Sequence, residues 1–207
     1  MSTELPLFPL QTVLFPGGRL NLKVFEARYL DMVGDCLRQQ RPFGVVCLQA
    51  GGEMQRKDQD GNPAPVRFHD IGVQAHIDEV DAEQAGILHI RCSGRERFAL
   101  QNPRRQPDGL WLADVALLPA DELALPPDEM DDTVQSLREA IEAMRREGAE
   151  PFIPPYRFSD AGWVANRWCE ILPISLAAKQ KLMALDDPLA RLKLVDEFLR
   201  DQGVIGG

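Results

Sequence analysis

The sequence predicts an α+β protein, with a β half over residues 1–118 that carries one helix and a helical half over residues 119–207. Two observations predict it. Up to about Leu118, apolar residues alternate with polar ones at period two, the pattern of strands with one buried and one wet face. Beyond that point, apolar residues recur at helical spacing between capping and stop residues. A chain of 207 residues with 44% hydrophobic and 27% charged residues has the length and composition to bury a core and excludes extensive disorder.

The β half opens with a short apolar run, Leu5 to Leu10, broken by prolines, and then Leu14-Phe15-Pro16-Gly17-Gly18, a strand-to-turn signal. Leu7, Phe8, Leu14 and Phe15 read as barrel core and turn. Leu20, Leu22 and Val24 alternate with Asn21 and Lys23. A helix is expected from about Glu26 to Gln39, with Tyr29, Leu30, Val33 and Leu37 on one face. Phe43 to Leu48 is a compact apolar strand. Ile71, Val73, Ala75 and Ile77 alternate with polar residues, and Ile87 to Cys92, Arg95 to Leu100 and Leu110 to Leu118 follow. Ser93-Gly94 reads as a hairpin turn, and Gln55 to Pro65 and Asn102 to Gly109 as loops.

Pro119 to Pro127, acidic and proline-containing, reads as a boundary linker. In the helical half, Val134, Leu137, Ile141 and Met144 mark a helix that Gly148 stops. Three prolines keep Pro151 to Tyr156 out of any helix. Ser159 or Asp160 is expected to cap a helix bearing Trp163, Val164, Trp168 and Leu172, and Ser175 the next, bearing Leu176, Lys179, Leu182 and Met183. Asp187 with Pro188 starts the last, which is expected to bury Leu189, Leu192, Val195, Phe198 and Leu199 and to stop at Gly203.

Net charge is −9 and uneven. Residues 1–118 carry 13 basic and 15 acidic side chains, and residues 119–207 carry 10 and 17. Acidity opposes phosphate backbones and anionic membrane surfaces, so neither nucleic acid nor membrane is an expected partner. The chain contains no apolar run of the roughly 20 residues that span a bilayer and no basic-then-apolar leader. Cys36, Cys47, Cys92 and Cys169 are scattered with no CxxC pair, the usage of reduced structural thiols in a cytoplasmic protein.

Candidate chemistry is sparse. Ser175 and Lys179, at i, i+4, read as a helix cap and a solvated lysine rather than a nucleophilic pair. His69, His76 and His89 are the only histidines. His89 and Cys92 are separated by an odd number of positions and so face opposite sides of one strand, which opposes a local metal pair, although His76 and His89 are potential cross-strand neighbours. Asp78, Glu79, Asp81 and Glu83 lack the spacing of a calcium loop and read as a solvated turn. Arg95, Arg97, Arg104 and Arg105, near Phe98, are the one basic concentration. They read as a solvent-facing strand side rather than an RNA surface. Phe152, Ile153, Tyr156 and Phe158 read as an apolar plug coupling the two halves, and Trp163 and Trp168 as core. No cofactor and no metal site is expected.

Leu5-Pro6-Leu7-Phe8-Pro9-Leu10, Leu14-Phe15-Pro16-Gly17-Gly18 and Phe25-Glu26-Ala27-Arg28-Tyr29-Leu30 resemble the opening of the Lon N-terminal domain family, which includes the substrate-binding domain of the ATP-dependent protease Lon and free-standing bacterial relatives. Phe43-Gly44-Val45-Val46, Ile71-Gly72-Val73 and Gly94-Arg95-Glu96-Arg97-Phe98 follow in the family's order. Leu172-Pro173, Lys179-Gln180-Lys181-Leu182 and Asp186-x-x-x-x-Arg191-Leu192 resemble its helical close. The resemblance implies a β pseudo-barrel related to PUA domains, joined to a helical bundle, and a non-catalytic role in binding unfolded polypeptide or a protein partner. No Gly-Lys dipeptide occurs, so no phosphate-cradling loop is expected, and the chain is expected to end before a protease domain. Because such a module needs an apolar recognition surface, Phe15, Phe25, Tyr29, Phe152 and Tyr156 are the candidate binding residues, as aromatic anchors near a domain junction. RNA binding and small-molecule hydrolysis are the alternatives.

Overall fold

The computed structural model describes residues 3–50, 52 and 66–206. The predicted loop Gln55 to Pro65 and the side chain of Glu83 lie outside the described residues. The chain divides into two compact units, Met1–Leu118 and Pro119–Gly207, and each is described by itself.

The first unit holds strands β1 (Thr3–Leu10), β2 (Arg19–Val24), β3 (Phe43–Ala50), β4 (Arg67–Phe68), β5 (Ile71–Gln84), β6 (Ile87–Arg105) and β7 (Trp111–Leu117), with helix α1 (Ala27–Gln39) between β2 and β3. The pairings run β1-β7-β6-β5-β3, and β3 then pairs in parallel with β1, Leu7 opposite Gly44, so five strands close into a ring. Where the five strands pair around the ring, closure removes sheet edges. β2 lies off the ring and pairs with β6 in antiparallel register, Leu20 opposite Cys92 and Leu22 opposite Ile90. The core of the ring contains Leu5, Leu7, Val46, Phe98, Ala113 and Val115.

β6 is one 19-residue strand, and this corrects the two turns predicted along it. Ser93-Gly94 is not a hairpin turn, because the β5–β6 connection is at Ala85-Gly86 instead. Gly94 is glycine for packing. A Cβ there would lie 2.2 Å from the Phe15 carbonyl oxygen. That approach lets the Gly17 N–H donate to the Gly94 carbonyl (2.9 Å) and the Gly94 N–H to the Gly18 carbonyl (2.8 Å). The Phe15-Pro16-Gly17-Gly18 turn is thus fixed across the middle of β6. Asn102 to Arg105 are strand rather than loop: the register with β7 shifts between Gln101 and Arg104, and Asn102 takes a positive φ of 48°. An irregularity bends a strand without ending it, and the turn comes at Gln106–Gly109, where the Gly109 N–H donates to Gln106.

α1 packs on the ring through Tyr29, Met32, Val33 and Cys36. Leu37, expected on this face, is 44% exposed, and Cys36 takes the inward position. Tyr29 stacks on Phe8 with ring centroids 3.9 Å apart. Arg28 donates to the Gly109 carbonyl (2.8 Å) and pairs with Glu26 (2.8 Å).

The second unit holds a 3-10 turn (Asp128–Met130) and helices α2 (Asp131–Arg146), α3 (Ala161–Ile171), α4 (Leu176–Ala184) and α5 (Pro188–Asp201). The expected caps form. Asp160 accepts from Trp163 N–H, Ser175 from Ala178 N–H, and Asp187 from Leu189 and Ala190 N–H. α3 touches α2, α4 and α5, so its residues Ala161–Cys169 are buried on every side rather than on the one predicted stripe. Leu189, expected to be buried, is 38% exposed, as the first turn of α5 lies at its margin.

Arg191, on α5, is buried to 1% exposure. It donates to both carboxylate oxygens of Asp121 (2.6 and 3.1 Å), to Asn166 on α3 (2.9 Å) and to the carbonyls of Leu182 (2.9 Å) and Leu185 at the end of α4. One side chain therefore ties the linker to three helices. Arg191→Met leaves a carboxylate and two carbonyls without their donor, and the expected loss is about 3–5 kcal/mol, read by urea denaturation. Gly94→Ala is expected to cost about 1–3 kcal/mol through overpacking against Phe15. A loss below about 0.5 kcal/mol in either variant contradicts these roles.

Candidate binding surface

Of the five aromatic residues the sequence singles out, two line one recess. It is about 170 Å³ in volume and is lined by Phe8, Leu10, Asn21, Leu22, Lys23, Val24, Phe25, Glu26 and Tyr29. β1 supplies the floor, β2 one wall and the entry to α1 the other. Phe25, at the bend between β2 and α1, is 51% exposed. It is the most exposed of the five. Tyr29 is 3% exposed, its ring held down by Phe8 on one side and by the Arg28 guanidinium, 4.5 Å from its centroid.

The other three lie elsewhere. Phe15 has no exposed area, because its turn is pinned to Gly94. Phe152 is 2% exposed and meets Trp163 edge-on at 6.2 Å, with Arg167 5.5 Å from its ring. Tyr156 is half-buried against Trp163 (5.9 Å) and Phe158 (6.0 Å). Phe152, Tyr156, Phe158 and Trp163 thus form an aromatic cluster within the second unit. Buried rings of this kind stabilise by area and edge contacts.

A second, larger groove of about 620 Å³ adjoins the recess. It is lined by Arg19, Asn21, Leu22, Lys23, Glu79, Val80, Asp81, His89, Ile90 and Arg91. Sequence reasoning missed it, and with it the contribution of β2. The alternation of β2 was visible, but which strand stands beside it depends on pairing.

The remaining candidates resolve into structural roles. Ser175 caps α4, and Lys179 Nζ donates to the Glu170 carbonyl at 2.9 Å. His76 lies opposite Ser93 and His89 opposite Asp81, so the two histidines are not cross-strand neighbours as the alternation had allowed. The tight connection at Ala85-Gly86 sets this register, with His89 close to it and His76 far from it. His76 contacts Asp78 (3.2 Å), and His69 contacts Gln49 (3.0 Å). Among the described residues no cluster of His, Cys, Asp and Glu has the arrangement of a metal site. Arg97 does not face solvent: it is 3% exposed. Arg104 pairs with Glu4 and Asp114. The basic concentration is therefore not an open cationic face.

All four cysteines are buried and free. Burial pushes the Cys92 and Cys169 thiols up to about 12, so neither carries appreciable thiolate at neutral pH. Glu170 is held beside the buried Arg167 (3.1 Å). Burial pushes its carboxyl up to about 7, against the opposing pull of Arg167 and Lys179.

A family model for the ATP-dependent protease La (LON) substrate-binding domain matches residues 4–201. The crystal structure of a Lon N-terminal domain protein from Xanthomonas campestris is 32% identical, with a TM-score of 0.71 over 93% of this chain and 96% of that one. The N-terminal domain of a Mycobacterium avium complex Lon protease shares the fold at 17% identity, with a TM-score of 0.64 over 96% of this chain and 99% of that one. Lon protease 2 of Herpetosiphon aurantiacus is 24% identical over 97% of this chain and 24% of its own length, and protein cereblon of Xenopus tropicalis is 27% identical over 59% and 26%. The chain spans about a quarter of the length of these curated relatives.

Two outcomes follow from burial. Native protein at pH 8 is expected to react with a thiol alkylator at Cys92 and Cys169 far more slowly than urea-unfolded protein, as mass spectrometry reads; equal rates contradict the burial. For Glu170, a folded-state value of about 7 above the ordinary 4.5 places its stability contribution below pH 4.5, and that contribution is lost as pH rises through 7. Glu170→Gln is expected to flatten the pH dependence of unfolding between those values, and an unchanged slope refutes the assignment.

Proposed function

Because this chain belongs to the substrate-binding domain family of ATP-dependent protease La (LON), we propose that it is a non-catalytic module that captures unfolded or partly folded polypeptide, or a protein partner, through apolar contacts. The observation that carries this reading is the recess beside Phe25. It combines a half-exposed aromatic ring with a wall of Phe8, Leu10, Leu22 and Val24. At about 170 Å³ it suits a single side chain better than a small-molecule ligand, whose clefts run roughly 300–1,000 Å³.

The one serine–lysine pair at helical spacing has a structural role, in capping and in a carbonyl contact. The 207 residues contain no Gly-Lys dipeptide, so they lack the loop that cradles nucleotide phosphates. Among the described residues no helix is long and apolar enough to cross a membrane, which is compatible with action in the cytoplasm.

The test is a fluorescence-anisotropy titration with a labelled, permanently unfolded polypeptide rich in apolar residues. Phe25→Ser is expected to weaken binding at least ~10-fold, about 1.4 kcal/mol, with unchanged thermal stability. Unchanged affinity moves the site away from β2, and an absence of binding by the wild type removes the unfolded-chain reading. Phe152→Ala is expected to act on stability instead, by about 3 kcal/mol.

A further inference from the structure

Five strands close into a ring, and β2 stands outside it. β2 pairs with β6 along Arg19–Val24, and among the described residues no strand pairs with its other side. Its outward N–H and C=O groups repeat at strand spacing and are unmatched by any ladder. A backbone row of this kind is a template for one more strand.

The side chains around this edge are sorted by the pleat. Leu20 and Val24 are buried and Leu22 half-buried, whereas Asn21 and Lys23 are exposed. The recess at Phe25 and the larger groove share Asn21, Leu22 and Lys23 among their lining residues. Both therefore open at the same stretch of β2, the apolar recess towards Phe8, Leu10 and Phe25 and the polar groove towards the exposed face. On that face the register aligns Lys23 with His89 and Asp81, and Asn21 with Arg91 and Glu79. Acidic groups thus sit on β5, two strands in, and the Lys23 ammonium sits at the rim. Arg91 is already paired with Glu79 at 3.0 Å.

We propose that β2 takes an extended polypeptide segment as an added strand, with apolar side chains of the segment entering the recess at Phe25 and acidic side chains, at alternate positions, facing Lys23. This rests on the polypeptide-binding reading above and states how and what it would bind. Backbone pairing supplies affinity that is tolerant of sequence. The period-two alternation of recess and cation supplies the preference. A second copy of this chain is a poor occupant. Antiparallel pairing of β2 with β2, centred on Asn21, sets Arg19 against Lys23, and like charges directly opposite are destabilising.

The probe is a fluorescein-labelled nonapeptide alternating valine and glutamate, titrated against the whole chain. Controls are the valine–lysine peptide and two N-methylated versions of the valine–glutamate peptide, one methylated at the valines and one at the glutamates. An added strand donates to β2 from one alternate set of N–H groups, and the other set points away. The expected result is that one methylated peptide binds at least ~10-fold more weakly and the other binds like the parent, with the valine–lysine peptide also weaker by about 10-fold. Lys23→Glu is expected to reverse the preference between glutamate and lysine peptides. Two methylated peptides that both bind like the parent overturn strand addition, as does an unchanged preference in Lys23→Glu. If the Phe25→Ser variant still loses affinity for the unfolded polypeptide in that case, apolar capture stands and only the edge pairing fails. Binding of neither peptide nor unfolded polypeptide by the wild type overturns both readings.

Discussion

The Phe98 ring sits where the strands of the first unit come together, and two glycines on neighbouring strands are cut to fit it. A Cβ on Gly72 would lie 2.6 Å from the end of that ring, and one on Gly44 would lie 2.8 Å from it. Gly44 is also the residue through which β3 pairs with Leu7 of β1, the parallel pairing that closes the ring. A fully buried aromatic ring needs close-packed neighbours on all sides. Here backbone stands in for side chain on two of them. The three motifs that contain Gly44, Gly72 and Phe98 are separated in the chain and meet at this one contact. Closure of the ring, and so the exclusion of β2 from it, depends on that packing.

The second unit is organised by charge rather than by a ring. Arg191 reaches the linker, α3 and the end of α4, and its partners satisfy the donors of a guanidinium that has almost no solvent contact. A charge buried this way stabilises when its geometry is complete and is costly when any partner is lost. A second buried contact, the Thr133 hydroxyl donating to Asp196, joins α2 to α5, and the Trp168 indole N–H donates to the Thr133 carbonyl from α3. Polar groups therefore specify which helices meet, and the apolar faces of Leu137, Ile141, Leu192 and Leu199 fill the space between them.

The surface that results divides its labour. The aromatic cluster of Phe152, Tyr156, Phe158 and Trp163 is turned inward on the second unit. The first unit leaves Phe25 outward at the bend that follows β2, a short strand that the ring does not use. An unfolded chain offers a binding module two things it has not yet hidden, apolar side chains and unpaired backbone. On the proposed reading, β2 with its two recesses would meet both.

Local order in the sequence was enough to place the strands by their alternation, the helix caps at Asp160, Ser175 and Asp187, and the proline starting α5. Each of these depends on residues within a turn or two of one another. Tyr29 and Phe25 were identifiable as exposed-or-anchoring aromatics by type, but which of the two faces solvent was not. That is set by Phe8, which is distant in the chain and covers Tyr29. Gly94 read locally as a turn and is instead a contact point with Phe15. Arg97 read as a wet strand position and is instead buried. The sequence by itself determined the type of the main elements, because period and capping are near-neighbour properties of the backbone. The tertiary structure alone decided which strands pair and which charges are buried, because strand pairing, bulges and close packing join residues that are far apart in the chain.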